Sequence, residues 1–238
     1  MSIKKDWPEF EMRGAAMDRL ETFVAAALAF AVSMVVISVD GVPQSFAEFY
    51  NAVKTIPAFA ASFAIIAWIW HSHANWCRRY GLEDGKTVFL SCCLVFLVLV
   101  YIYPLKLTMQ GFFAVLTDGF APMNMSFDAY WKVRFMFAFY SVGFLLVTLN
   151  FVALYYHALN SKNALKLSIY EYLDTKFDIQ NWLAASGVAL FCLVLALLLP
   201  DELIGFSGYA NFLLFPVLSG MGLYHSKKRS DLLEQDET

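Results

Sequence analysis

The chain has 238 residues, of which 60% are hydrophobic and 16% charged, with a mean hydropathy of +0.57. A water-soluble domain of this length cannot enclose that much apolar side chain, so composition excludes a soluble protein and marks an integral membrane protein. The formal net charge of −3 adds little, and no nucleic-acid partner is expected.

The first apolar run covers residues 20–39, LETFVAAALAFAVSMVVISV. At about 1.5 Å per residue it is long enough to cross a hydrocarbon core of roughly 30 Å. Glu21 sits at its edge, and only Thr22, Ser33 and Ser38 carry hydroxyls, so no charge is expected at bilayer depth. Ala25, Ala26, Ala27, Ala29 and Ala31 make it a helix that neighbours can approach closely. Ala27-Leu28-Ala29 looks like a signal-peptide cleavage site, but it lies inside the apolar stretch, so the run is read as a retained span.

Five more spans are expected at 54–71, 88–107, 135–157, 182–200 and 203–225. The fold class is therefore an all-α membrane protein with six transmembrane helices per subunit and no separate soluble domain. The expected organisation is an N-terminal tail over 1–18, a six-span unit over 19–225 and a C-terminal tail over 226–238. Beyond the second span comes the trio His71, His73 and Cys77, then the basic Arg78-Arg79. The outer loop over 108–130 mixes Phe, Met and Gly and is read as a cap on the third and fourth spans. It lacks the Thr-Val-Gly-Tyr-Gly run of the usual potassium filter. The segment 160–178 alternates charged and apolar residues and is expected to lie along the membrane surface as an amphipathic helix. A tight turn at Pro200-Asp201-Glu202 is expected to fold the last two spans into an antiparallel hairpin.

Thirteen of the seventeen Lys and Arg fall in the two tails and the two loops on one side. The positive-inside rule then gives a multi-pass protein of the plasma (inner) membrane with both termini cytoplasmic. Cys77, Cys92, Cys93 and Cys192 are not placed to form an outer disulfide.

Polar residues within the spans are sparse and uncharged: Ser33, Ser62, Ser91, Thr148, Asn150 and Asn211. Asn150 and Asn211 are expected to make interhelical hydrogen bonds. The spans carry no acids or bases of the kind a proton-coupled transporter uses. His73 and Cys77 share a helix face, yet the trio with His71 lacks further ligands, so no metal is expected. With no phosphate loop, nucleophile elbow or carboxylate pair, neither an enzyme nor a cofactor is expected.

Arg19-Leu20-Glu21-Thr22-Phe23, then Ala29-Phe30-Ala31-Val32-Ser33 and a short outer turn with Pro43, resemble the first helix of prokaryotic relatives of the lysosomal potassium channel transmembrane protein 175. Trp68-Ile69-Trp70-His71, the Arg78-Arg79 segment and Tyr103-Pro104-Leu105 are similar to the same family. The layout matches over about 17–225, with the motifs confined to the first three spans. The family signature is Arg-x-x-x-Phe-Ser-Asp. This chain keeps Arg19 and Phe23 but has Val24 and Ala25 where Ser and Asp belong, so the polar contacts those side chains make in the family, including one to the histidine matching His71, lose their acceptors.

The resemblance implies a homotetramer that conducts potassium through a pore lined by the first helix of each subunit. Its narrowest position falls on Phe30 and its threonine on Ser33. Ala26, Phe30, Ser33 and Ile37, spaced by four, three and four, lie on one helix face. Asp40 would draw cations to the outer mouth. The reading is a potassium-favouring cation channel in the lipid bilayer. The rival is a non-conducting scaffold that keeps the channel fold for partner binding.

Overall fold

In the computed structural model the described residues are 7–14, 19–37, 43–123 and 127–235. Six long helices form the bundle: α1 (Arg19–Ile37), α3 (Ile56–Tyr80), α4 (Gly85–Leu116), α5 (Tyr130–Asn160), α6 (Ile169–Leu198) and α8 (Leu214–Gln235). Two short helices, α2 (Phe46–Lys54) and α7 (Gly205–Tyr209), complete the set, and no strand occurs among the described residues.

Helices α3, α4, α5 and α6 are longer than their apolar runs, because polar and charged turns extend them beyond bilayer depth. The expected second span falls on α3, and α2 meets it at a 42° bend at Thr55. The bend follows from Pro57, which is tolerated in the first turn of α3 but could not continue α2. At its other end α3 keeps Arg78 and Arg79 in its last turn, so they are helical and not in a loop. Gly81, at φ +57, closes it in a left-handed cap.

The third span also runs further than its expected limit at residue 107, to Leu116, with Pro104 inside the helix. Lys106, expected at a span end, is therefore buried within α4 at 8% exposure, beside the buried Thr108 and Gln110.

The segment 160–178 is not a separate surface helix. Turns occupy 161–166, and Ser168 then starts α6 with a capping box completed by Glu171. Residues 169–178 are thus the polar opening turns of α6, capped by Ser168 and Glu171 and lying ahead of the apolar run of the fifth span.

The hairpin joining the last two spans is also less simple than a tight turn. Short 3-10 turns over Asp201–Leu203 and Ala210–Leu213 flank α7 before α8 begins. Arg134 of α5 stabilises this end: its guanidinium donates to the carbonyls of Ala196, Leu197 and Leu199 and to Asp201 Oδ1, at 2.7–2.9 Å. These carbonyls are otherwise unpaired at a helix end. Asn211 is not interhelical, since its amide donates to Ser207 and Gly208 one turn earlier. Asn150 is, donating to the Leu90 carbonyl of α4 at 3.1 Å.

The core runs through α1, α3, α4 and α5 and reaches α6 at Trp182, which stacks on Phe151 at 4.1 Å. Residues 7–14 form a strap over the end of the bundle where α3, α5 and α8 finish. Arg13 makes a bidentate pair with Glu171 at 2.8 and 3.0 Å, and Trp7 donates to Asp174. Gly14 donates to the Arg78 carbonyl, and a Cβ there would run into the carbonyl of Cys77. Only glycine lets the strap lie this close to α3.

Candidate pore face

Helix α1 has two contrasting faces. Glu21, Val24, Leu28, Ala31 and Val35, spaced by three and four, are buried against α3 and α4. At 100° per residue, the positions two further along each turn point the opposite way. Those positions are Phe23, Ala26, Phe30 and Ser33, and all four are uncovered, Phe23 at 54% and Phe30 at 59% exposure. Arg19 stands at the start of the same stripe and is also exposed. Successive spacings of four, three, four and three keep these positions on one face of the helix. The Ser33 hydroxyl donates to the Ala29 carbonyl at 3.1 Å, which leaves its oxygen lone pairs facing outward. Ile37 is described by its backbone alone, and Asp40 lies outside the described residues.

The packed face explains how α1 holds its place without Ser and Asp at positions 24 and 25. Val24 is 0% exposed, so apolar contact fills the space at the first of these positions. One turn earlier Glu21, 3% exposed, lies 3.6 Å from Arg78 Nε of α3. Glu21 is therefore an interior ion-pair partner and not an edge residue. The sequence signal was its place on the Glu21-Val24-Leu28 stripe, which composition of the run obscured. Val24, Leu28 and Val35 do more of this packing than the alanines do.

The histidines divide by face. His71 is exposed, with Nε2 2.9 Å from the Asn75 amide of its own helix. His73 is buried, with Nε2 3.0 Å from Ser91 Oγ of α4 and Cys77 Sγ 3.7 Å from its Nδ1. Within one subunit, then, His73 and not His71 joins the second span to the third. Arg19, Phe23 and His71 form no joint network among the described residues: the first two share the uncovered stripe, and His71 bonds within its own helix. Among the described residues no three His, Cys, Asp or Glu converge to hold a metal.

Residues 19–104 match the model of the endosomal/lysosomal potassium channel TMEM175 family. A relative from Marivirga tractuosa named "Potassium channel" is 30% identical over 237 residues, covering 95% of both chains. The chain belongs to the TMEM175 family. The crystal structure of a variant of the potassium channel MtTMEM175, complexed with a nanobody–MBP fusion, superposes with a TM-score of 0.80 at 29% identity, covering 92% of this chain and 98% of that one. A TMEM175 homologue from Chamaesiphon minutus gives a TM-score of 0.58 at 18% identity over 87% of this chain and 96% of that one, a likeness of fold. TMEM175 is a family of multi-pass membrane channels and not a class of enzymes.

Proposed function

We propose that four copies of this TMEM175 chain surround a common axis and conduct cations, potassium favoured, through a pore lined by α1. The observation that carries this is the uncovered stripe on α1, set opposite the face that packs on α3 and α4. Similarity to a protein named a potassium channel and to a crystallised potassium channel supports the choice of ion.

In this reading four Phe30 rings form a dry constriction that gates by expelling water, and Ser33 oxygens just beyond it replace part of the ion's hydration. Ala26 widens the passage on one side and Ile37 continues it on the other. Asp40 supplies negative charge at the outer mouth, Arg19 marks the cytoplasmic end, and both termini lie in the cytoplasm at the inner membrane. Residues 19–225 are the channel unit, and the tails bracket it.

A second reading, a scaffold that no longer conducts, is favoured by Val24 and Ala25 at the signature positions. Flux in liposomes separates the two. A constriction barrier lower by only ~1.4 kcal/mol raises flux about tenfold, so Phe30→Ala should increase gradient-driven potassium flux at least that much. Absence of potassium and sodium flux in both the unaltered protein and Phe30→Ala leaves the scaffold.

A further inference from the structure

Glu171, Asp174 and Asp178, spaced by three and four, share one face at the opening of α6. Each carboxylate holds a cation from a different element: Arg13 of the strap at 2.8 Å, Arg229 of α8 at 2.6 Å and Arg79 of α3 at 2.7 Å. The second oxygen of Asp174 accepts from Trp7, so the strap and α8 meet on one carboxylate. Phe10 fills the middle of the strap, edge-on to Tyr80 of α3, with the guanidinium groups of Arg13 and Arg79 at 5.8 and 5.1 Å from its ring centroid. The strap therefore grips α6 on one side and the last turn of α3 on the other. That turn also holds α1. Arg78 accepts the Gly14 N–H on its carbonyl at 2.9 Å, and its side chain reaches the buried Glu21 carboxylate of α1 at 3.6 Å. One residue thus touches both the strap and α1.

We infer that the strap is a positioning element for α1: docked on the α6 carboxylates, it fixes the last turn of α3, and through Arg78 it sets where the first turns of α1 stand. Arg13 and Glu171 are then positioning residues that act on α1 through Arg78. A buried carboxylate is sensitive to the place of its cation, so a shift of Arg78 is felt first at Glu21 and then along the packed face at Val24 and Leu28. Four residues separate Gly14 from Arg19 in the sequence, so the covalent path between the two attachments is short as well. The consequence for conduction rests on the channel reading. The coupling itself does not, and amide exchange, which needs no ion flux, keeps failure of the one distinct from failure of the other.

Hydrogen exchange of the full-length protein in detergent, followed by mass spectrometry, tests the coupling. Arg13→Gln should speed exchange roughly tenfold over residues 7–14, the scale of one lost hydrogen bond to a charged group. Over residues 23–28 of α1, where the intrahelical bonds begin, the rise should be about threefold, because only part of the loss is passed on. Residues 140–155 of α5 should not change. Arg13→Lys, which keeps a cation on Glu171, should recover most of both rises. Gly14→Ala acts at the Arg78 carbonyl instead, where a Cβ has no room, and should also raise exchange over 23–28. Unchanged exchange over 23–28 in either Arg13→Gln or Gly14→Ala overturns the proposal. A rise that reaches 140–155 to the same degree, or that Arg13→Lys fails to reverse, overturns it as well.

Discussion

Ser33 and His73 carry polar chemistry on opposite terms. The Ser33 hydroxyl is already tied to its own helix by the bond to Ala29, so its oxygen faces outward as an acceptor and nothing else. Ser33→Ala should leave the fold intact and reduce preference for potassium over sodium, measured as a shift in reversal potential under mixed-ion gradients. An unchanged reversal potential would remove Ser33 from the selectivity argument. His73 instead joins α3 to α4 through Ser91. His73→Leu strands a buried hydroxyl, and an unsatisfied group of this kind costs about 1–3 kcal/mol, visible as a lower midpoint in thermal unfolding followed by size-exclusion. The sequence placed His73 and Cys77 on one face, but it could not say which of His71 and His73 points inward. Two residues along a helix are about 200° apart, and only the position of α4 decides which side is inside.

The strap over 7–14 and the Arg134 clamp show how helix ends are held. Burial alone would raise the Glu171 carboxyl. The Arg13 guanidinium and the backbone N–H groups of Ser168 and Glu11 outweigh that and bring it down to about 2 from 4.5. A depressed carboxylate stabilises the folded state above its unfolded pKa, so the strap's contribution is complete above about 4.5 and is lost as pH falls toward 2. Proteolysis within residues 7–14 should accelerate over that window, and Glu171→Gln should show the faster cleavage already at neutral pH. If acid leaves the cleavage rate unchanged, Glu171 does not anchor the strap. At the opposite end, Arg134→Met removes the charge-assisted bonds to three carbonyls at the end of α6, Ala196, Leu197 and the capping Leu199. A loss of about 2 kcal/mol or more in stability is expected, read as a lower thermal midpoint. The strap was not legible in the sequence because the partners of Trp7 and Arg13 are about 150 to 170 residues away. The helical nature of 169–178 was half legible: Ser168 and Glu171 spell a capping box, but the charge alternation of the same stretch fits a surface helix equally well.

At the scale of the whole molecule, the channel reading requires the uncovered face of α1 to meet three copies of itself around one axis. Light scattering of the detergent-solubilised protein should give four times the 26.9 kDa chain mass after subtraction of detergent. A monomer or dimer cannot enclose a fourfold passage, and either result would end the axial assignment of Phe30.

Composition and apolar runs by themselves determined the membrane class, the six helices and the stripe on the first of them, because the bilayer forces backbone hydrogen bonds inside each span and so makes length and periodicity decisive. The family signature in the first three spans was equally a property of the chain order. Tertiary structure decided which charges go inside. Glu21 and Lys106 read as edge residues in one dimension, since a lone charge is expensive in an apolar run, yet both are buried. Glu21 is tolerated because Arg78 of α3 comes within reach once the bundle has packed, and the same packing brings the end of α6 to Arg134 at the bundle's edge.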